Sequence, residues 1–138
     1  MALHSYPIQV YYEDTDHSGV VYHANYLKYF ERAREHMLGI EALVALYRSH
    51  DIGFVVYKAE LTYFKGAQFG DTLDIRSSVS IQSPYRLSFT QEAYLSAGNK
   101  PLVTGIIQLA CVQSSVLIKT PPSVLAAMRS SHFVSEPQ

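Results

Sequence analysis

The chain has 138 residues, 48% apolar and 17% charged, with 11 basic and 12 acidic side chains and a net charge of −1. That balance describes one globular domain large enough for its own core. It argues against a disordered chain, and the basic residues gather in no block that would suit nucleic acid. No apolar run reaches the roughly 20 residues of a membrane span. The start, MALHSYPIQV, lacks the regions of a signal peptide, and the single cysteine, Cys111, excludes an internal disulfide. These features suit a cytoplasmic protein.

From Tyr6 to Tyr12 the residues alternate, with Ile8, Val10 and Tyr12 on one face, as in a strand. An acidic turn follows, Glu13-Asp14-Thr15-Asp16, then Gly19. A helix is expected to open near His23 or Ala24 and run to Leu38, with Gly39 as its C-terminal cap. At about 100° per residue, Tyr26, Leu27, Phe30, Ala33, Met37 and Leu38 share one apolar arc. Lys28, Arg32, Glu35 and His36 face away, and Glu31 and Arg34 are spaced to pair on the helix surface.

Four strand-like runs come next. In Phe54–Lys65 the residues Val55, Tyr57, Ala59, Leu61 and Tyr63 share a face, opposite Lys58, Glu60 and Thr62. Leu73–Gln82 sets Leu73, Ile75, Val79 and Ile81 against Asp74, Arg76, Ser78 and Ser80, and Arg86–Leu95 aligns Leu87, Phe89, Ala93 and Leu95. Leu102–Val112 is apolar on both faces, as a central strand would be. Turn residues separate these runs at 66–71, Ser83-Pro84 and Gly98-Asn99. A short helix is expected from Thr120-Pro121 to about Met128, followed by a polar, frayed tail from Arg129 to Gln138. The chain reads as a single α+β domain, 1–138, with a mostly antiparallel sheet and one long helix on one face.

The chemistry concentrates between Tyr11 and Leu38. Asp16 lies just before a helix N-terminus, where the first backbone N–H groups have no partner within the helix. A carboxylate beside such donors is a minimal hydrolase site: the donors stabilise an oxyanion while the carboxylate attacks or activates water. Capping and turn formation are the ordinary alternatives for Asp, Ser and Asn at such a place. A calcium loop starting at Asp14 fails, because its twelfth position is Asn25 and no helix leads into it. His17 and His23 lack a third ligand for zinc, and Cys111 sits in an apolar strand where a thiol is inert.

The run VYYEDTDHSGVVYHANYLKYFERAREHML, with Asp16-x-x-Gly19 followed by Tyr22-His23-x-Asn25-Tyr26, resembles the hotdog-fold thioesterases of the 4-hydroxybenzoyl-CoA thioesterase family. The likeness is greatest to the YbgC-like acyl-CoA thioesterases associated with the Tol-Pal system, and it extends over about residues 6 to 120. It implies a hotdog fold, a curved five-stranded antiparallel sheet wrapped around one long helix, with a short C-terminal helix. It also implies hydrolysis of an acyl-CoA thioester, with Asp16 as nucleophile or general base and the backbone N–H near His23 as the oxyanion site. The imidazole of His23 is a second candidate for catalysis. Gly19, Val21, Tyr22, Asn25 and Tyr26 are the expected substrate-binding residues. Lys58, Lys65 and Arg86 are candidates for CoA contacts, and Glu31 is a reserve carboxylate. His17, directly after Asp16, departs from the small residues usual there. Such proteins work without a cofactor, as homodimers or homotetramers with the site at the subunit interface. A hotdog-fold dehydratase or hydratase, or a non-catalytic acyl-CoA-binding module, is the competing expectation.

Overall fold

The computed structural model describes residues 3–131 and 133–135. The first strand, β1 (His4–Gln9), leads through Val10 into a 3-10 turn at Tyr12–Asp14. Two helices follow, α1 (Asn25–Leu38) and α2 (Ile40–His50), and then β2 (Ile52–Tyr63), β3 (Thr72–Ser83), β4 (Arg86–Leu95) and β5 (Val103–Gln113). A short β6 (Val116–Ile118), α3 (Pro122–Ser130) and β7 (Val134–Ser135) complete the chain. The five long strands lie in the order β1-β3-β4-β5-β2, every neighbour antiparallel. The sheet wraps one face of α1, which is the α+β hotdog architecture expected, enlarged by α2 and by two short strands.

Alternation explains the core. Leu73, Ile75, Val79 and Ile81 of β3 are buried, as are Leu87, Phe89 and Ala93 of β4, and α1 lays Tyr26, Tyr29, Phe30 and Ala33 on them. Phe30 packs so close to β5 that a Cβ on Gly105 would lie 2.8 Å from its ring. One polar network is enclosed within this core. Gln91 donates to the Phe30 carbonyl (2.9 Å) and the Ser77 hydroxyl (3.0 Å) while accepting from Arg34 Nη1 (3.0 Å). Its amide is therefore satisfied where an unpaired one would cost stability.

Several expectations need correction. Tyr12 leaves the strand face and is 76% exposed in the 3-10 turn. On α1 the apolar arc is rotated: Tyr29 is buried and Leu27 is 42% exposed. Arg34 bonds to Gln91 instead of Glu31. Residues 40–50, assigned to no element, form α2. Gly39, with φ 97°, breaks α1 from it, and Asp51 in the left-handed region closes it. In β2 an extra residue, Tyr57, interrupts the register with β5 between Val56 and Lys58. The inward set is consequently Phe54 and Val56 before the bulge and Ala59, Leu61 and Tyr63 after it, so Val55 lies on the outer face opposite Ala110. The expected frayed tail contains a strand: β7 (Val134–Ser135) runs parallel to β3, and Phe133 accepts the Val79 N–H (2.9 Å). Residues 132 and 136–138 of that expected tail lie outside the described residues. Among the described residues, no helix is long and apolar enough to cross a membrane.

Candidate active site

The segment between the 3-10 turn and α1 is held on two sides. Thr15 bridges Val21, and Val20 bridges Gln68 in the β2–β3 connection. The Asp16 N–H donates to the Val20 carbonyl (2.8 Å), the Gly19 N–H returns to the Asp16 carbonyl (3.0 Å), and the Val21 N–H reaches Ala67 (2.8 Å). Gly19 adopts φ 80°, a conformation glycine reaches without strain. The Asp16 carboxylate uses Oδ1 to accept the Ser18 N–H at 2.8 Å, an Asx turn that fixes the side chain and leaves Oδ2 available.

Asp16, Val20, Val21, His23, Tyr26 and Tyr63, together with Phe64, Lys65 and Gly66, line one open cavity of about 280 Å³. Tyr63 Oη donates to the His23 carbonyl (2.8 Å), tying the end of β2 to the start of α1. Tyr26 Oη accepts the Ala67 N–H (3.3 Å), and burial keeps its phenol and that of Tyr63 protonated by raising both above the ordinary tyrosine value. At the helix start Ala24 occupies the N-cap without a side-chain cap. The Asn25 N–H turns back to Tyr22 (2.8 Å), and among the described residues no backbone carbonyl receives the N–H of His23 or Ala24. Asp16 and His23, whose backbone N–H meets no backbone carbonyl among the described residues, thus line a single cavity at the start of α1.

The other expected residues fall into two groups. Val21 and Tyr26 form walls of the cavity, and Gly19 shapes the turn behind Asp16. Tyr22 stands at the surface with its ring 4.5 Å from that of His23. Asn25 serves structure: its Nδ2 donates to the Asp14 carbonyl (2.9 Å), beside a separate polar cleft. Lys58 pairs with Glu60 (3.0 Å) on the outer sheet face, and Arg86 lies over the Tyr57 ring (5.5 Å), so neither joins the Asp16 cavity in this chain. Lys65 does join it. Sequence reasoning did not assign Tyr63, Phe64 and Gly66 to the site. The adjacent aromatics at the strand end, followed by Lys-Gly, were the signal. Among the described residues no group of three or more His, Cys, Asp or Glu could hold a metal ion. Cys111 is buried, and burial pushes its thiol up to about 11, far from a nucleophile's range.

Residues 10–128 match the family model of the thioesterase-like superfamily. The chain belongs to that superfamily. Among curated relatives it is 37% identical to the acyl-CoA thioester hydrolase YbgC of Escherichia coli O157:H7, over 80% of this chain and 82% of the relative. It is 40% identical to the acyl-CoA thioesterase YbgC of Helicobacter pylori strain 26695, over 62% of this chain and 63% of the relative. Two solved structures share the fold. The 1,4-dihydroxy-2-naphthoyl-CoA thioesterase Slr0204 from Synechocystis superposes with a TM-score of 0.85 at 23% identity, covering 93% of this chain and 96% of that one. The DHNA-CoA thioesterase from Staphylococcus aureus gives 0.80 at 23% identity, with both chains covered in full. The YbgC-like assignment read from residues 11–38 therefore stands on the sequence comparison, and the hotdog fold on the structural one.

Proposed function

We propose that this member of the thioesterase-like superfamily hydrolyses an acyl-CoA thioester to the free acid and CoA, with Asp16 supplying the reacting carboxylate. One observation carries this reading: Asp16 and His23, whose backbone N–H meets no backbone carbonyl among the described residues, line the same cavity at the start of α1. The thioester carbonyl oxygen fits the His23 and Ala24 N–H groups, which stabilise the charge that develops as the carbon becomes tetrahedral. Asp16 either attacks that carbon or takes the proton from an attacking water. In both routes its negative charge drives the step, and the CoA thiolate departs without needing a strong acid. Water supplies the oxygen of the acid and the proton that ends on CoA. Lys65, the one cation among the described residues lining the cavity, is the candidate partner for a CoA phosphate. The curated YbgC relatives, named as acyl-CoA thioesterases, support the same substrate class.

The working unit is a homodimer in the cytoplasm, where CoA thioesters are at hand. β2 is a 12-residue edge strand whose centre exposes Val55, Val56 and Tyr57. An edge that long and apolar is a pairing surface unless it is covered. A two-fold axis joining two such edges into one sheet, with the helices of both chains on the same side, makes the β2–β2 pairing antiparallel. The test of the activity is release of CoA from a panel of acyl-CoAs, followed with a thiol reagent. Release well above spontaneous hydrolysis is expected for at least one acyl class. A panel on which the protein releases no CoA above background would overturn the reading in favour of a dehydratase or a binding module.

A further inference from the structure

The Asp16 cavity has a back wall. Tyr26, one of its walls, is fully buried, and one turn further along α1 Phe30 lies so close to β5 that Gly105 has no room for a Cβ. An acyl group held at Asp16 therefore meets packed core on that side, and the free edge of β2 is its open direction.

A second cavity, of about 220 Å³, lies at the other end of that edge, between α1, α2 and the first half of β2. Phe54, Val56, Leu109, Leu38 and Leu43 give it apolar walls, and Arg34 gives it one desolvated cation. The Arg34 side chain is buried, at 6% exposure, and makes a single hydrogen bond among the described residues, from Nη1 to Gln91 Oε1 at 3.0 Å. None of its other nitrogens is sealed off without a partner, so the rest of its fork of donors looks into open space, and the cavity is the space it lines. Glu31 and Glu35 line the cavity too and attract the guanidinium, but neither forms an ion pair with it among the described residues.

Within one chain, Val56 and Tyr63 are separated by about 23 Å at the usual rise per strand residue, too far for one compact site. Antiparallel pairing of two β2 edges changes this. It sets the Ile52–Val56 half of one chain beside the Tyr63 end of the other, so each Asp16 cavity adjoins the second cavity of its partner.

We propose that this second cavity receives the acyl end of the substrate held at the partner's Asp16, and that Arg34 selects acyl groups carrying a neutral oxygen acceptor toward their far end. The inference rests on the thioesterase reading and on the β2 dimer. The walls suit a hydrocarbon body, and the unused guanidinium donors suit a carbonyl or hydroxyl oxygen. A distal carboxylate is disfavoured, because Glu31 and Glu35 already exceed the single positive charge of Arg34. A plain hydrocarbon chain would leave the donors dry and unpaired, the situation in which binding sites discriminate strongly.

The test uses the full chain and straight-chain acyl-CoAs of increasing length, each paired with its penultimate-keto and ω-carboxy counterparts. At the length that fills the cavity, the keto substrate should exceed the plain one in kcat/KM by about tenfold or more, and the ω-carboxy substrate should gain nothing. Arg34→Met should bring the keto-to-plain ratio close to one, a change that a purely structural role for Arg34 would not produce. A hybrid of an Arg34→Met chain and an Asp16→Asn chain, isolated through two tags, then locates the contact. Its surviving Asp16 faces the partner's Arg34, and the wild-type ratio should return. Equal rates for keto and plain substrates at every length overturn the proposal without any variant, even if Arg34→Met fails to fold. An unchanged ratio in a folded Arg34→Met protein, or the mutant ratio in the hybrid, also overturns it. Absence of turnover on every substrate removes the thioesterase reading, and this proposal with it.

Discussion

Replacing Asp16 by Asn separates chemistry from structure. The carboxylate accepts one backbone hydrogen bond, from Ser18 at 2.8 Å, and the turn around it is closed by main-chain bonds at Val20 and Gly19 that the substitution does not touch. An Asn oxygen accepts the same Ser18 N–H. The loss is the difference between a charged and a neutral acceptor, about 1 kcal/mol, which lowers Tm by roughly 3 °C in a domain of this size. The chemical step loses the negative charge outright. Turnover should fall by about a hundredfold or more, equivalent to about 2.7 kcal/mol of barrier. The assay measures kcat by CoA release and Tm by calorimetry on the same preparation. Asp14→Asn is the comparison. Asp14 Oδ2 accepts the Tyr11 N–H (2.9 Å) and so braces the 3-10 turn, which makes stability, more than rate, the quantity it should change. An Asp16→Asn protein with kcat within about threefold of wild type would refute the assignment.

Four further outcomes follow from the structure. Light scattering should give at least twice the 15.5 kDa chain mass, and a monomer at micromolar concentration would remove the β2 pairing. Tyr63→Phe deletes the hydrogen bond to the His23 carbonyl; kcat should drop about tenfold with Tm nearly unchanged, checked by kinetics and calorimetry together. Gly105→Ala puts a Cβ at 2.8 Å from Phe30, an overpacking that should cost about 1–3 kcal/mol in urea unfolding. Cys111 has its folded-state thiol value raised from 9.0 to about 11 by burial. Above pH 9 the unfolded chain therefore holds fewer protons at this thiol than the folded chain does, and stability declines as pH rises from about 9 to 11. Cys111→Ser should remove that component of the slope and keep turnover within about tenfold.

Where one local rule governed an element, the sequence was legible. Alternation placed the apolar inward residues of β3 and β4, though not the buried Ser77 and Gln91 between them, and Gly39 marked the end of α1. Asp16 and His23 do share a cavity, as expected from their place before a helix. Failures came where a tertiary contact set the outcome. Leu27 and Tyr29 exchange burial because α1 is rotated to seat Tyr29 next to Asp14, on a surface the helical period does not encode. The helix α2 was overlooked although Ile40, Leu43, Val44 and Tyr47 have helical spacing, because Gly39 ends one helix and opens the next without an intervening loop. Lys58 and Arg86 are candidates from their places on strand polar faces or beside turns, and in this chain they meet Glu60 and the Tyr57 ring instead of the Asp16 cavity. The β2 bulge has no signature in composition, yet it decides which residues on either side of Tyr57 share the inward face.

That bulge reconciles the length of β2 with a single inward face. Tyr57 is the extra residue between Val56, which opposes Leu109, and Lys58, which opposes Gln108. Held in an uninterrupted ladder, Tyr57 would turn Ala59, Leu61 and Tyr63 to the opposite face and withdraw the Tyr63 hydroxyl from the His23 carbonyl. Without Tyr57 the same partners follow one another in a regular ladder, and Ala59, Leu61 and Tyr63 keep their places. A frame-preserving loss of that one codon is therefore a change the strand can absorb, at the cost of the local bend that a bulge gives. In the evolution of this chain, Tyr57 reads as an insertion taken up by the sheet edge with every residue of the site left where it was.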